Sequence, residues 1–153
     1  MAQYGLLVSH GTLAYGVLAD LEMLAGKRDD LIAVCLEDGM GQDEFAQHLN
    51  DATAHITPED EVFVFADIIG GSPLTATLSQ LSERGILEHL YALGGLNLPM
   101  VLAATTMGFD DGLGGDELVA SCLSAAKEGI YEFKIDKNSN ASATSDEEDE
   151  EDI

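Results

Sequence analysis

Four continuous apolar runs constrain this chain more than any other feature. Gly5–Val8, Leu31–Leu36, the Val62–Ala66 run inside a strand read as Glu61–Asp67, and Leu90–Gly94 contain no charged residue. Short runs of this kind, bounded by turn residues, read as strands covered on both faces. A helical pattern follows each. Leu13–Gly26 sets Val17, Leu18, Leu21 and Leu24 on one face, Asp43 to about His55 aligns Phe45, Ala46, Leu49 and Ala52, and the segment running to about Arg84 repeats Leu74, Leu78 and Leu81. Beyond the fourth run, Gly95–Pro99 leads into a helix through about Met107, and Asp116–Glu128 reads as one more, with Leu118, Val119, Cys122 and Ala125 or Ala126 inward. Strands alternating with helices predict an α/β fold with a doubly wound, mostly parallel sheet and helices on both faces. The common order for so small a fold is 2-1-3-4. Ile130–Asp136 differs, because it alternates apolar and polar residues. It reads as an edge strand, open to antiparallel pairing with a partner subunit.

The 153 residues suit one domain with a real core, taken here as residues 1–136. Residues 137–153 are polar and acidic without periodicity and are expected to be a disordered tail. Net charge is −23, and seven of the 29 acids lie in Asp146–Asp152, which leaves 22 acids against 6 bases, or −16, on the remainder. Nucleic acid and anionic membrane are therefore excluded as partners, while a basic protein partner fits. No run is long and apolar enough to insert into a membrane, and the start lacks the pattern of a signal peptide, so a cytoplasmic location is expected. Cys35 and Cys122 sit in apolar segments, form no metal motif and read as small core residues. Neither G-x-x-x-x-G-K-[ST] nor G-x-G-x-x-G occurs, so no nucleotide, cofactor or metal is expected.

The chemistry lies at the strand ends. The first run ends in Ser9-His10-Gly11-Thr12 and the third in Asp67, then Ile68-Ile69-Gly70-Gly71-Ser72-Pro73. In an open parallel sheet, ligands bind at carboxyl ends where the strand order reverses. The order 2-1-3-4 makes His10 and Asp67 neighbours facing one crevice. Each alone has an ordinary reading, His10 as a turn histidine and Asp67 as a strand-end cap. Together they form an orienting pair, in which the carboxylate fixes the tautomer and leaves the other imidazole nitrogen as nucleophile. Gly11, Thr12, Gly70, Gly71 and Ser72 are the candidate phosphate-binding residues, through backbone N–H groups, hydroxyls and two helix N-termini. Ser72 is placed as the cap of its helix and Pro73 at its first position. His48, His55 and His89 lie away from the carboxyl ends and read as structural. Arg84 and Lys27 are too isolated to clamp a phosphate.

Strand-Ser-His-Gly, then strand-Asp-x-x-Gly-Gly-Ser-Pro, then Gly95-Leu96-Asn97-Leu98-Pro99-Met100 resembles the mannose-family IIA component of the bacterial phosphoenolpyruvate-dependent sugar phosphotransferase system. The likeness covers roughly residues 3 to 135, with three motifs in order. The resemblance implies a phosphotransferase in which His10 takes a phosphoryl group from HPr, forms a phosphohistidine and passes the group to a separate IIB component. That component serves the membrane IIC and IID components for sugar transport. Asp67 would bond the ring and Ser72 would lie in the same pocket. It also implies a homodimer exchanging an antiparallel fifth strand, here Ile130–Asp136. Ile69 and Gly11-Thr12-Leu13 stand where family members are often aromatic. Three other readings compete. They are a phosphoryl donor to a dihydroxyacetone kinase, a non-catalytic α/β regulatory module that binds anions, and a small hydrolase with a His–Asp dyad. The last lacks a G-x-S-x-G elbow.

Overall fold

In the computed structural model, which describes residues 1–138, the four apolar runs are strands of one sheet. They are β1 (Gln3–His10), β2 (Leu31–Leu36), β3 (Glu61–Ala66) and β4 (Leu90–Leu93), all parallel, in the order β2-β1-β3-β4. The predicted order is the observed one. Between them run α1 (Leu13–Ala25), α2 (Gln42–Ala52) and α3 (Ser72–Glu83), and α4 (Leu98–Ala103) and α5 (Gly115–Glu128) follow β4. A parallel ladder has both faces to bury, and the pleat divides the work. Leu7, Phe63 and Phe65 pack beneath α1, α4 and α5 with Leu21, Met100, Leu118 and Cys122. Leu6, Val8, Val62 and Val64 pack beneath α2 and α3 with Phe45, Leu49, Leu74 and Leu81. Side chains that alternate across a strand thus build two cores from one sequence run.

Both cysteines are unpaired and fully buried, as expected for core residues. Burial pushes the Cys122 thiol up to about 11, so it stays protonated and unreactive.

The helix expected through Met107 changes form on the way. α4 ends at Ala103, and Ala104–Phe109 continues as a wider π-helical stretch. The hydroxyls of Thr105 and Thr106 both donate to the Leu102 carbonyl, at 2.8 and 3.1 Å, and so compete with the backbone for that acceptor. The last helix starts at the amino end of the sheet, where the Gly115 amide donates to Glu61, and returns to the carboxyl end, where Asn97 donates to the Ala126 carbonyl.

The fifth strand is not part of the sheet in the single chain. Residues 130–136 form no strand beyond a lone bridge at Ile135, and Ile130, Tyr131, Phe133 and Ile135 are 74%, 68%, 55% and 57% exposed. A strand needs a neighbouring edge for its ladder, and among the described residues this segment has only the single bridge at Ile135. Of the expected tail 137–153, residues 139–153 lie outside the described residues.

The start of β1 is anchored by a buried carboxylate. Asp60 accepts from the Ala2 amide at 3.1 Å and from the Thr57 amide and hydroxyl at 2.9 and 3.2 Å. Burial works to raise its pKa, but these hydrogen bonds together hold it below the ordinary value. The folded pKa is thus lower than the unfolded one. Asp60 contributes stability above about pH 4, and that contribution is lost as pH falls through the lowered folded value. Asp60→Ala is expected to cost roughly 1–2 kcal/mol at neutral pH by stranding these donors. Its stability should vary less than the native chain's through this acid range. Thermal melts at pH 7 and pH 3 check both.

Candidate functional site

The chain leaves β1 toward β2 on one side, then crosses to β3 on the other. The carboxyl ends of β1 and β3 therefore flank the point where strand order reverses, and a crevice opens there. Val8 pairs with Ala66 in register, which puts His10 and Asp67 side by side just past the paired residues. Asp67 Oδ2 accepts from the His10 backbone amide at 2.9 Å and lies 2.8 Å from His10 Nδ1. Asp67 Oδ1 accepts from the Ile68 amide at 2.8 Å.

The electrostatics decide the tautomer. Burial works to raise the Asp67 pKa. The hydrogen bonds from the His10 amide, the His10 ring and the Ile68 amide outweigh it and hold the carboxyl below its ordinary value. An ionised carboxylate only accepts, so Nδ1 is the nitrogen that carries the proton in the hydrogen bond, and in the neutral imidazole the lone pair is on Nε2. The His10 side chain is 47% exposed while that of Asp67 is 15% exposed. The ring is thus gripped on one side and open on the other.

Gly71 makes this possible. A Cβ there would stand 2.9 Å from His10 Cε1 and 3.0 Å from Ile68 Cγ1, so the imidazole lies where any other residue would place its side chain. The remaining predicted residues sort by what they do in the turn. Gly11 donates its amide to the Leu36 carbonyl at 2.9 Å, so that N–H is committed to the turn. Gly71, not Ser72, occupies the cap position of α3, Ser72 is the first helical residue and Pro73 follows. Ser72 has no cap hydrogen bond to make because Gly71 stands at the cap. Ser72 lines a cleft of about 390 Å³ between α2 and α3, together with Gln42, Asp43 and Thr75. Thr12 holds the cap position of α1 without a side-chain cap bond and is exposed.

Sequence reasoning passed over Ser9. It is fully buried, and its Oγ accepts from the Ala14 amide at 2.8 Å. The hydroxyl one residue before His10 therefore secures the first turn of α1 from inside the core. The only signal was its place, opposite His10 on the strand's other face. Arg84 is a cap for α2, donating to the Thr53 carbonyl at 2.6 Å and to Thr53 Oγ1 at 2.7 Å, at the end of the sheet remote from His10. His55 packs edge-on against Tyr4 at 5.2 Å, also away from the crevice. A cavity of about 800 Å³ opens at that amino end, lined by Gln3, Tyr4, Asp29, Asp30, His55 and Glu61. None of the predicted site residues reaches it.

Fold and site together define a class, a doubly wound α/β protein with a carboxylate-oriented histidine at its switch point. The chain belongs to the EIIA-man family, described as the PTS system fructose IIA component, whose model matches residues 5–122. It is 29% identical over 126 residues to the PTS system mannose-specific EIIAB component of Escherichia coli K12, covering 82% of this chain and 38% of that protein. It thus spans well under half the length of that relative. With the PTS system fructose-specific EIIA component of Bacillus subtilis it shares 28% identity over 102 residues, 67% of this chain and 68% of that one. The mannose/sorbose specific IIA subunit of the phosphotransferase system from Enterococcus faecalis has the same fold, with a TM-score of 0.73 at 22% identity over 90% of this chain and 98% of that one. Among the described residues, no helix is long and apolar enough to cross a membrane.

Proposed function

We propose that this chain is the IIA phosphoryl carrier of a sugar phosphotransferase system. Phospho-HPr delivers a phosphoryl group to His10 Nε2, and a IIB component removes it for sugar uptake through the membrane IIC and IID components. The observation that carries the reading is the one-sided grip on His10, with Nδ1 on Asp67 Oδ2 at 2.8 Å and the other side of the ring open. In the step, the Nε2 lone pair forms a new P–N bond while the P–N bond to the donor histidine breaks and its electron pair returns to that ring. His10 becomes an imidazolium bearing the phosphoryl group, and the Asp67 carboxylate at Nδ1 balances the ring charge. The N-termini of α1 and α3 aim partial positive charge at the phosphoryl oxygens. The acidic surface favours encounter with a basic protein. Transfer back out to IIB runs the same bonds in reverse. The test is intact-protein mass spectrometry after incubation with phosphoenolpyruvate, enzyme I and HPr. Gain of one phosphoryl group supports the reading, and no gain while HPr itself is phosphorylated overturns it.

The same reading includes a homodimer. Tyr131, Phe133 and Ile135 alternate with charged residues and stand exposed, and among the described residues no strand lies beside the outer edge of β4. An antiparallel exchange of 130–136 onto the partner's β4 satisfies both the ladder and the apolar face. Sedimentation velocity is expected to give a dimer for the native chain and a monomer for Phe133→Asp/Ile135→Asp. A native monomer at micromolar concentration rules the exchange out.

A further inference from the structure

We infer that the Gly94–Gly95 turn after β4 is a positioning element for the reaction at His10, because it holds the Asp67–Gly71 turn and with it the carboxylate that orients the ring. The inference rests on the proposed phosphoryl transfer for its kinetic meaning and on geometry for the rest. Asp67 meets His10 through its side chain, but its backbone is held from the other side. The Gly95 amide donates to the Asp67 carbonyl at 3.2 Å, and the Leu96 amide to the Ala66 carbonyl at 2.9 Å. These bonds tie the turn after β4 to the last residue of β3 and to the functional aspartate that follows it.

Two adjacent glycines make the approach possible. Gly95 sits at φ +76°, a conformation that L side chains adopt only under strain. At Gly94 the space for a Cβ is already taken by Ile69. The added carbon would overlap Ile69 Cγ1, stand 2.9 Å from Cδ1 and lie 3.4 Å from the Ile69 backbone nitrogen. Ile69 is 76% exposed, so the core does not hold it, and what its side chain lies against is the bare Gly94 backbone. The same turn carries Gly71, where a side chain would meet both Ile68 and His10. Ile68 lies 3.0 Å from the Cβ position of Gly71, and the other face of that position meets His10 Cε1 at 2.9 Å. A methyl group at Gly94 pushes on Ile69, shifts the turn that carries Asp67 and Gly71, and so displaces both groups that fix the imidazole. Neither glycine touches the reacting nitrogen, so both act through Asp67 and Gly71.

The experiment measures phosphoryl transfer from phospho-HPr for the native chain, Gly94→Ala, Ile69→Ala and the double variant. ¹⁵N NMR of the His10 ring in the unphosphorylated proteins accompanies it. Gly94→Ala is expected to lower kcat about 10- to 100-fold, the cost of small misplacements at a reacting group, with KM little changed. The ring should lose its single Nδ1–H tautomer. In the Ile69→Ala background, where the overlapping side chain is gone, the same substitution should cost no more than about twofold, the coupling expected of residues in contact. An equal loss in both backgrounds overturns the inference, and so does a lower melting temperature with kcat and tautomer unchanged. If Gly94→Ala does not fold, Gly95→Val against Gly95→Asn replaces it. Asparagine tolerates positive φ and should keep the tautomer, while valine should lose it. If the native chain takes up no phosphoryl group, the functional reading has failed, and the NMR comparison still decides the positioning role.

Discussion

His10→Ala is expected to take up no phosphoryl group at all under conditions that load the native chain fully. Among the described residues, no second histidine or thiol stands in its place. Ser9 is buried with its Oγ occupied by the Ala14 amide, and Cys35 is buried with its Sγ 3.7 Å from Ser9 Oγ. His48, His55 and His89 belong to other parts of the surface. The fold should survive, because the imidazole is half exposed and the Asp67 carboxylate it leaves behind still accepts from the His10 and Ile68 backbone amides. A melting temperature within about 4 °C of native corresponds to roughly 1 kcal/mol for a chain of this size. Intact mass and a thermal melt on one sample separate loss of the acceptor from loss of the fold. Undiminished uptake by the variant would move the acceptor elsewhere and remove the functional reading of the crevice.

Asp67→Asn comes second in size and probes the tautomer. The carboxylate presents acceptors on both sides, Oδ2 to the His10 amide and ring and Oδ1 to the Ile68 amide. An asparagine has one oxygen and one NH₂. With its NH₂ toward the ring, Nδ1 must accept, the proton moves to Nε2, and the nucleophilic lone pair is lost. With its oxygen toward the ring, the NH₂ faces the Ile68 N–H, donor against donor. Either arrangement should slow transfer by on the order of 10²–10⁴-fold, the range seen when an orienting carboxylate is removed from a catalytic histidine. Rapid-quench transfer from phospho-HPr measures it, and a rate within fivefold of native would remove Asp67 from the reaction. The pH dependence follows the same group. Because hydrogen bonding lowers its folded pKa, the Asp67 carboxylate stays ionised through neutral and mildly acid solution. Its grip on the ring, and the stability it lends, fail only as pH falls below about 4 and through the lowered value.

The parts that were legible share a physical origin. Strands buried on both faces must be apolar at every position, so their runs stand out, and glycine and proline mark where they turn. Those two signals sufficed for four strands and their helices, while the order 2-1-3-4, and with it the pairing of His10 with Asp67, came from the arrangement common to small doubly wound sheets. The details that escaped depend on contacts between residues remote in sequence. Ser72 is first in α3 instead of its cap, because Gly71 must approach His10 and takes the cap position. The π-helical stretch at Ala104–Phe109 arises from two threonines that compete for one carbonyl, which no periodicity records. Arg84 reads as an isolated cation in sequence and proves to be a cap on a helix three decades of residues earlier in the chain.

Ile130–Asp136 marks the boundary most clearly. Its alternation announces a strand, yet a strand exists only where another edge accepts its hydrogen bonds, and among the described residues it makes no more than the single bridge at Ile135. Local pattern by itself determined which segments are apolar, where they stop and which chemical groups stand at their ends, since these are properties of short stretches meeting water or a core. Tertiary structure alone decided which nitrogen of His10 is free, because that follows from a carboxylate 57 residues away, brought within 2.8 Å by the β1–β3 ladder and held there by a turn from a third strand.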